Sequence, residues 1–295
     1  MSLLARELVY DLGEIEPNFF VSSKTPSSDW MKLNINGHGS TLRDRADIAL
    51  TTSSLDIEVY RRLLSETLNL LPRACTVLEL GAGDGRITHE LLKLGFTNII
   101  AVECHPESAK QLYNSLSPTQ RKFVQVVCAD VLDLNIPENS IDALVSIEVL
   151  CYLNKKFEKR LEHFAKALAP NGIITHSELM QEGNLYYAIA FEDKNKIESL
   201  LQKKWAKSNV TIRVFTKDEM QYIYKQCGLK MLESHPISSL HGFLSAANHR
   251  LGKDDVEVEQ ALLKAFPLLN GDCMPRAMYF SGKKLNISFK SKDTL

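Results

Sequence analysis

Residues 77–87 read Val-Leu-Glu-Leu-Gly-Ala-Gly-Asp-Gly-Arg-Ile, and this stretch decides the fold. An apolar run leads into glycine at every second position, Gly81, Gly83 and Gly85, with a carboxylate at Glu79 and a helix pattern beyond. Glycine lets the backbone take positive φ and approach a ligand closely. A strand-to-helix corner of a parallel sheet is where cofactors bind. The spacing narrows the choice of cofactor. A dinucleotide fingerprint counted from Gly81 needs a glycine where Arg86 stands, and no phosphate-cradling lysine follows as a P-loop requires.

Working outward, a ladder of strands and helices emerges. Asn98–Val102 is short, apolar and β-branched, and it runs into Glu103. An acid at that strand end can accept hydrogen bonds from both hydroxyls of a ribose. Phe123–Cys128 reads as a third strand, followed by Ala129, Asp130 and Val131. Asp142–Ile147 is the fourth, and a Leu168-Ala-Pro-Asn-Gly172 turn leads into the fifth, Ile173–His176.

In order and spacing, these features resemble the class I S-adenosylmethionine-dependent methyltransferases, whose first motif is E-x-G-x-G-x-G. The resemblance implies an α/β fold: a three-layer Rossmann-like sandwich on a seven-stranded, mainly parallel sheet with an antiparallel last strand. It implies S-adenosyl-L-methionine as cofactor and S-adenosylhomocysteine as product. It also implies cofactor contacts at Glu79, Gly81, Ala82, Gly83, Gly85, Glu103, Cys104, Asp130, Val131 and Ile147. Among them Glu103 would hold the ribose, Asp130 the adenine amino group, and Glu79 the loop or the cofactor's amino group. The resemblance covers about residues 75–180 well, and the termini and insertions by position only.

Composition describes an ordinary globular chain of 295 residues, 44% hydrophobic and 24% charged. A net charge of −1 carries no footprint for nucleic acid. The six cysteines show no C-x-x-C spacing. With no signal-peptide pattern and no membrane-length apolar run, a cytoplasmic protein without a membrane role is expected. The expected organisation is a polar, irregular N-terminal arm over residues 1–45 and a methyltransferase domain over 46–295. Within that domain lie a cofactor-binding core at 75–178 and helical lid insertions at about 180–210 and 240–266. An amphipathic helix opening at Ser54 leads into the first strand. Asn184–Lys207 is helical in pattern, and Thr216-Lys-Asp-Glu219 is a capping box for a helix ending at Gly228. Strands follow at Leu229–Glu233 and Ala277–Ser281. Insertions over a rigid sheet edge imply a lidded pocket for a small molecule.

Methyl transfer is an in-line displacement, so orientation supplies much of the acceleration, and many family members need no essential base. Candidate groups on the acceptor side are Glu148, His176 and His241. Glu148 could face the acceptor, cap the next helix, or pair with Lys155 or Lys156. His176 and Glu178 are expected to alternate outward on the fifth strand. Tyr186 and Tyr187 could stack on a flat substrate or pack on the sheet. Ser146-Ile-Glu-Val149 lacks the proline pair and aromatic of base-amino methyltransferases, which disfavours a nucleobase acceptor. Glu148 and Glu178 are too few oxygen ligands for a magnesium site, so no metal is expected. The reading is a metal-independent methyltransferase for a small-molecule O or N acceptor. The alternatives are a non-catalytic cofactor-binding module acting through a partner surface, or a protein or RNA methyltransferase.

Overall fold

A computed structural model describes residues 7–9, 11–24, 46–190, 194–203, 205–207, 211–237 and 277–285, without the side chains of 46–56, Tyr186, Tyr187 and several neighbours. The strands are β1 Leu12–Glu16, β2 Phe19–Ser22, β3 Val77–Leu80, β4 Ile99–Glu103, β5 Val124–Cys128, β6 Ile141–Ile147, β7 Leu168–Leu179, β8 Trp205–Lys207, β9 Thr211–Arg213, β10 Leu229–Ile237 and β11 Ala277–Lys284. The helices are α1 Ala46–Leu68, α2 Arg86–Lys93, α3 Pro106–Ser115, α4 Phe157–Ala167, α5 Gln181–Ala190, α6 Lys194–Lys203 and α7 Lys217–Gln226. Among these, no helix is long and apolar enough to cross a membrane.

The main sheet runs β1-β2-β5-β4-β3-β6-β7-β11-β10. Strands β5, β4, β3, β6 and β7 are parallel, and β11 lies antiparallel between β7 and β10. This is the expected mainly parallel sheet with an inserted antiparallel last strand. Every residue of β3 and β4 is buried, which is why both read as continuous apolar runs: helices cover both faces. Alternation along β7 separates the two layers. Ser177 bonds Tyr60 of α1, whereas His176 lies against Phe157 of α4 and Tyr224 of α7.

The sheet has nine strands, two more than expected. The supposedly irregular arm contributes a hairpin whose β2 pairs parallel with β5. The Pro17-Asn18 turn, with Asn18 at φ 65°, closes it, and that dipeptide is the sequence signal that marks the hairpin. Phe19 stacks on Tyr113 of α3 with ring centroids 5.2 Å apart, and the Tyr113 hydroxyl donates to the Pro17 carbonyl at 3.1 Å. Helix α1 begins at Ala46 instead of Ser54. The 184–207 segment is two helices and then strand β8, paired antiparallel with β9. Trp205 and the β-branched Thr211 and Ile212 favour this extended pairing over a longer helix. The capping box is present: the Thr216 hydroxyl accepts from the Glu219 amide at 3.2 Å. The second insertion, 240–266, lies outside the described residues.

Gly282 on β11 makes room for the Tyr224 ring. A β-carbon there would stand 2.3 Å from Tyr224 Cε1 and 3.2 Å from the Lys230 carbonyl. Gly282→Ala is therefore expected to destabilise the fold by roughly 1–3 kcal/mol through overpacking, read as a lower denaturant midpoint with unchanged slope.

Candidate functional site

The carboxyl ends of β3, β4, β5 and β6 meet where the strand order reverses, with β4 on one side of β3 and β6 on the other. Such a switch point opens a crevice above the sheet. Each strand delivers a residue singled out from the sequence: Gly81 after β3, Glu103 ending β4, Asp130 after β5 and Ile147 ending β6.

All three motif glycines have positive φ, 68°, 57° and 102°, but their surroundings differ. A β-carbon at Gly81 would meet Val149 Cγ2 at 2.2 Å, and one at Gly85 would meet Leu112 Cδ1 at 2.4 Å. A β-carbon at Gly83 would meet no protein atom within 4 Å. Gly81 and Gly85 are thus required by packing as well as by backbone shape. Gly83 borders open space, where a ligand could lie against bare backbone.

Glu103 adjoins Gly83 from β4. Its carboxylate accepts from the Gly83 amide at 2.8 Å through Oε2 and from the His105 amide at 2.8 Å through Oε1. The glycine loop and the start of α3 are thereby fastened to one anion. Each carboxylate oxygen has two acceptor positions, so the pair of amides does not exhaust Glu103. Cys104 and Cys128 lie alongside, and burial raises both thiols, Cys128 to about 11. On the far side Asp130 caps a short turn, its Oδ1 accepting from the Leu132 amide at 2.9 Å.

Glu79 plays a supporting part beneath the loop. It is 2% exposed and accepts from the Thr88 hydroxyl at 2.6 Å, joining β3 to α2. Burial pushes its carboxyl up to about 8, against the opposing pull of the Thr88 bond. A second tie holds α1 to α2. Arg61 grips the buried Glu90 through Nε at 2.5 Å and Nη2 at 3.1 Å, and this grip holds the Glu90 carboxyl below its ordinary range.

The α1–α2 tie places Tyr60 beside Glu148 and Ser177. The Tyr60 hydroxyl donates to Glu148 Oε1 at 3.3 Å and shares a hydrogen bond with Ser177 Oγ at 3.1 Å. The Glu148 amide donates to Ser177 Oγ at 3.0 Å. Glu148 itself is left-handed, φ 56°, a conformation costing a non-glycine residue about 1–2 kcal/mol. This turn brings Val149 over Gly81. Sequence reasoning singled out Glu148 and the His176–Glu178 stretch that holds Ser177, but passed over Tyr60, which reaches them only through the fold.

His176 and Glu178 do not point outward. Both are fully buried, with His176 Nδ1 2.8 Å from Glu178 Oε1 and the imidazole flanked by Tyr224 and Phe280. Both faces of a parallel sheet are covered, so alternation turned this pair into the core under α4 and α7. Burial raises the Glu178 carboxyl while His176 draws it back. In this position His176 is a core residue, out of a substrate's reach. His241 lies outside the described residues.

Residues 78–175 match the family described as "Methyltransferase domain". A phosphoethanolamine N-methyltransferase 1 from Triticum aestivum is 38% identical over 114 residues, 37% of this chain and 22% of that protein. A second wheat phosphoethanolamine N-methyltransferase is 35% identical over 141 residues, 46% of this chain and 27% of the relative. The chain thus spans about a quarter of the length of these relatives. Among solved structures, an S-adenosylmethionine-dependent methyltransferase from Mesorhizobium loti superposes with a TM-score of 0.54 at 16% identity, over 74% of this chain and 96% of that one. Phosphoethanolamine N-methyltransferase 2 of Haemonchus contortus, in complex with phosphomonomethylethanolamine and S-adenosylhomocysteine, superposes with a TM-score of 0.52 at 15% identity, over 76% and 52%. The fold is shared.

Glu79 yields a pH prediction. Its carboxyl keeps its proton in the folded chain up to about 8, whereas the unfolded chain releases it near 4.5. The stabilisation from this group is full below 4.5, fades as pH rises, and is gone above 8. Glu79→Gln retains an acceptor for Thr88 and does not titrate. The melting temperature of the wild type relative to this variant should therefore fall between pH 4.5 and 8 and level off beyond.

Proposed function

Because the chain carries a class I methyltransferase domain, we propose that it transfers a methyl group from S-adenosyl-L-methionine to a small-molecule acceptor, with an amine nitrogen favoured over a hydroxyl. The observation that carries the reading is the pairing of Gly83 and Glu103. A glycine with open space where its β-carbon would stand adjoins a carboxylate oriented by two backbone amides. Ribose hydroxyls are donors, and an oriented carboxylate with lone pairs to spare is the complementary acceptor. The cofactor supplies an electrophilic methyl on a sulfonium.

The protein's own residues would do the binding and aligning. Gly81, Ala82, Gly83 and Gly85 form the backbone that passes the cofactor's methionine end. Cys104, Val131 and Ile147 line the base, and the Asp130 carboxylate accepts from the adenine amino group. Glu79 supports the loop through Thr88. On the acceptor side, Tyr60 and Ser177 orient Glu148, whose carboxylate attracts a protonated amine and takes its proton. A positioned base of this kind contributes roughly 10²–10⁴-fold, and alignment supplies the larger part. The N-methyltransferase names of the wheat relatives support a nitrogen acceptor.

Calorimetric titration with S-adenosylhomocysteine tests the cofactor assignment. Micromolar binding by the wild type, lost in Glu103→Ala and Gly83→Val, is expected. No binding by the wild type overturns it. Binding without transfer of labelled methyl to any of a panel of small amines and hydroxyl compounds would favour the non-catalytic module.

Glu148→Gly separates function from strain. It should leave stability unchanged or raise it by up to about 1 kcal/mol, because glycine accepts the left-handed backbone. It should also lower turnover on the accepted amine by at least tenfold, measured as kcat at saturating cofactor.

A further inference from the structure

We propose that Arg160 is a positioning residue for cofactor specificity, fixing the loop through which Asp130 distinguishes adenine from other purines; this rests on the cofactor reading above. Arg160 comes from α4, on the opposite layer from the glycine-loop helix. Its Nη2 donates to two carbonyls of one short turn, Val131 O at 2.5 Å and Leu134 O at 3.0 Å. The turn is closed from within by the Asp133 amide on the Asp130 carbonyl at 2.9 Å, and by Asp130 Oδ1 on the Leu132 amide. Its far end is tied to the N-terminal segment, where the Asn135 amide donates to the Leu8 carbonyl at 2.7 Å. One guanidinium nitrogen thus spans the turn that Asp130 caps, from its first residue, Val131, to Leu134 just past its end, and sets that turn's pitch.

The consequence is chemical. The orientation of the Asp130 carboxylate follows from the turn, since one of its oxygens is committed to Leu132. A carboxylate so held accepts from the exocyclic amino group of adenine and repels the carbonyl oxygen that replaces it in hypoxanthine. Carbonyls bonded to a formal charge are held more firmly than those bonded to a neutral donor. The guanidinium also lies over the Phe164 ring, with Cζ 5.0 Å from the centroid; methionine has a stem of similar length and no donors, so it should loosen the carboxylate's aim without emptying the core.

The test is calorimetry with S-adenosylhomocysteine and S-inosylhomocysteine on the wild type, Arg160→Met, Arg160→Lys and Asp130→Ala, with melting temperatures recorded alongside. Arg160→Met keeps the stem and loses the donors. It should bind S-adenosylhomocysteine roughly tenfold more weakly while its affinity for the inosyl compound is unchanged, so that purine discrimination shrinks by the same factor. Arg160→Lys, with one cationic donor, should fall between; it decides the matter if the methionine variant does not fold. Wild-type affinity and discrimination in the Arg160 variants, with binding weakened in Asp130→Ala, would overturn this proposal alone. An equal loss for both compounds would also overturn it, marking Arg160 as general support. No binding by the wild type, or none lost in Asp130→Ala, would remove the adenine assignment and this proposal with it.

Discussion

Everything at the site hangs from the Glu103 carboxylate. It ends the second parallel strand, takes the amide of Gly83 from one neighbouring loop and the amide of His105 from the next turn, and so joins two strand ends that the backbone ladder alone leaves loose. Hydrogen bonds to a charged acceptor contribute about 1.5–3 kcal/mol each, enough to hold a glycine loop that has no side chains of its own to pack. The same anion adjoins Gly83, where a β-carbon would meet no protein atom, so the group that fastens the loop is also the one proposed to take a ligand's hydroxyls.

The end of β6 is built by a different route. Helix α1 precedes the first strand of the parallel core, and the Arg61–Glu90 pair locks it to α2. That lock presents Tyr60 to Glu148 and Ser177, and the three together hold a left-handed backbone turn at the end of β6. Strained backbone persists where its surroundings over-determine it, and such places concentrate at functional sites. Here the turn does two things: it carries Val149 across Gly81, closing the loop from above, and it leaves a carboxylate at the edge of the crevice.

Away from the crevice, the same strand alternation that places Ser177 at the site sends His176 and Glu178 into the core beneath α4 and α7. The pair is held by one hydrogen bond inside an aromatic cage. Removing either partner alone would strand the other in low dielectric, a costly state, so the two residues are coupled through packing and not through chemistry on a substrate. The N-terminal hairpin extends the opposite edge of the sheet, and Leu8 just before it accepts from the Asn135 amide after the Asp130 turn.

What the sequence determined by itself were the features that a few adjacent residues impose. Three alternate glycines permit positive φ at a strand-to-helix corner, apolar runs mark buried parallel strands, acids at successive strand ends line up once those strands are parallel, and Thr216 caps its helix. Each is a local steric or hydrogen-bonding rule, legible without knowing what lies across the fold. The tertiary structure alone decided which face each alternating residue meets, because both faces of this sheet are covered and period-two alternation does not distinguish them. It decided that Tyr60 reaches Ser177 across 117 residues and that Arg160 grips a turn 29 residues earlier in the chain. It also decided that the first strands join the sheet at β5. Those contacts join residues far apart in the chain, and their geometry exists only once the helices have packed.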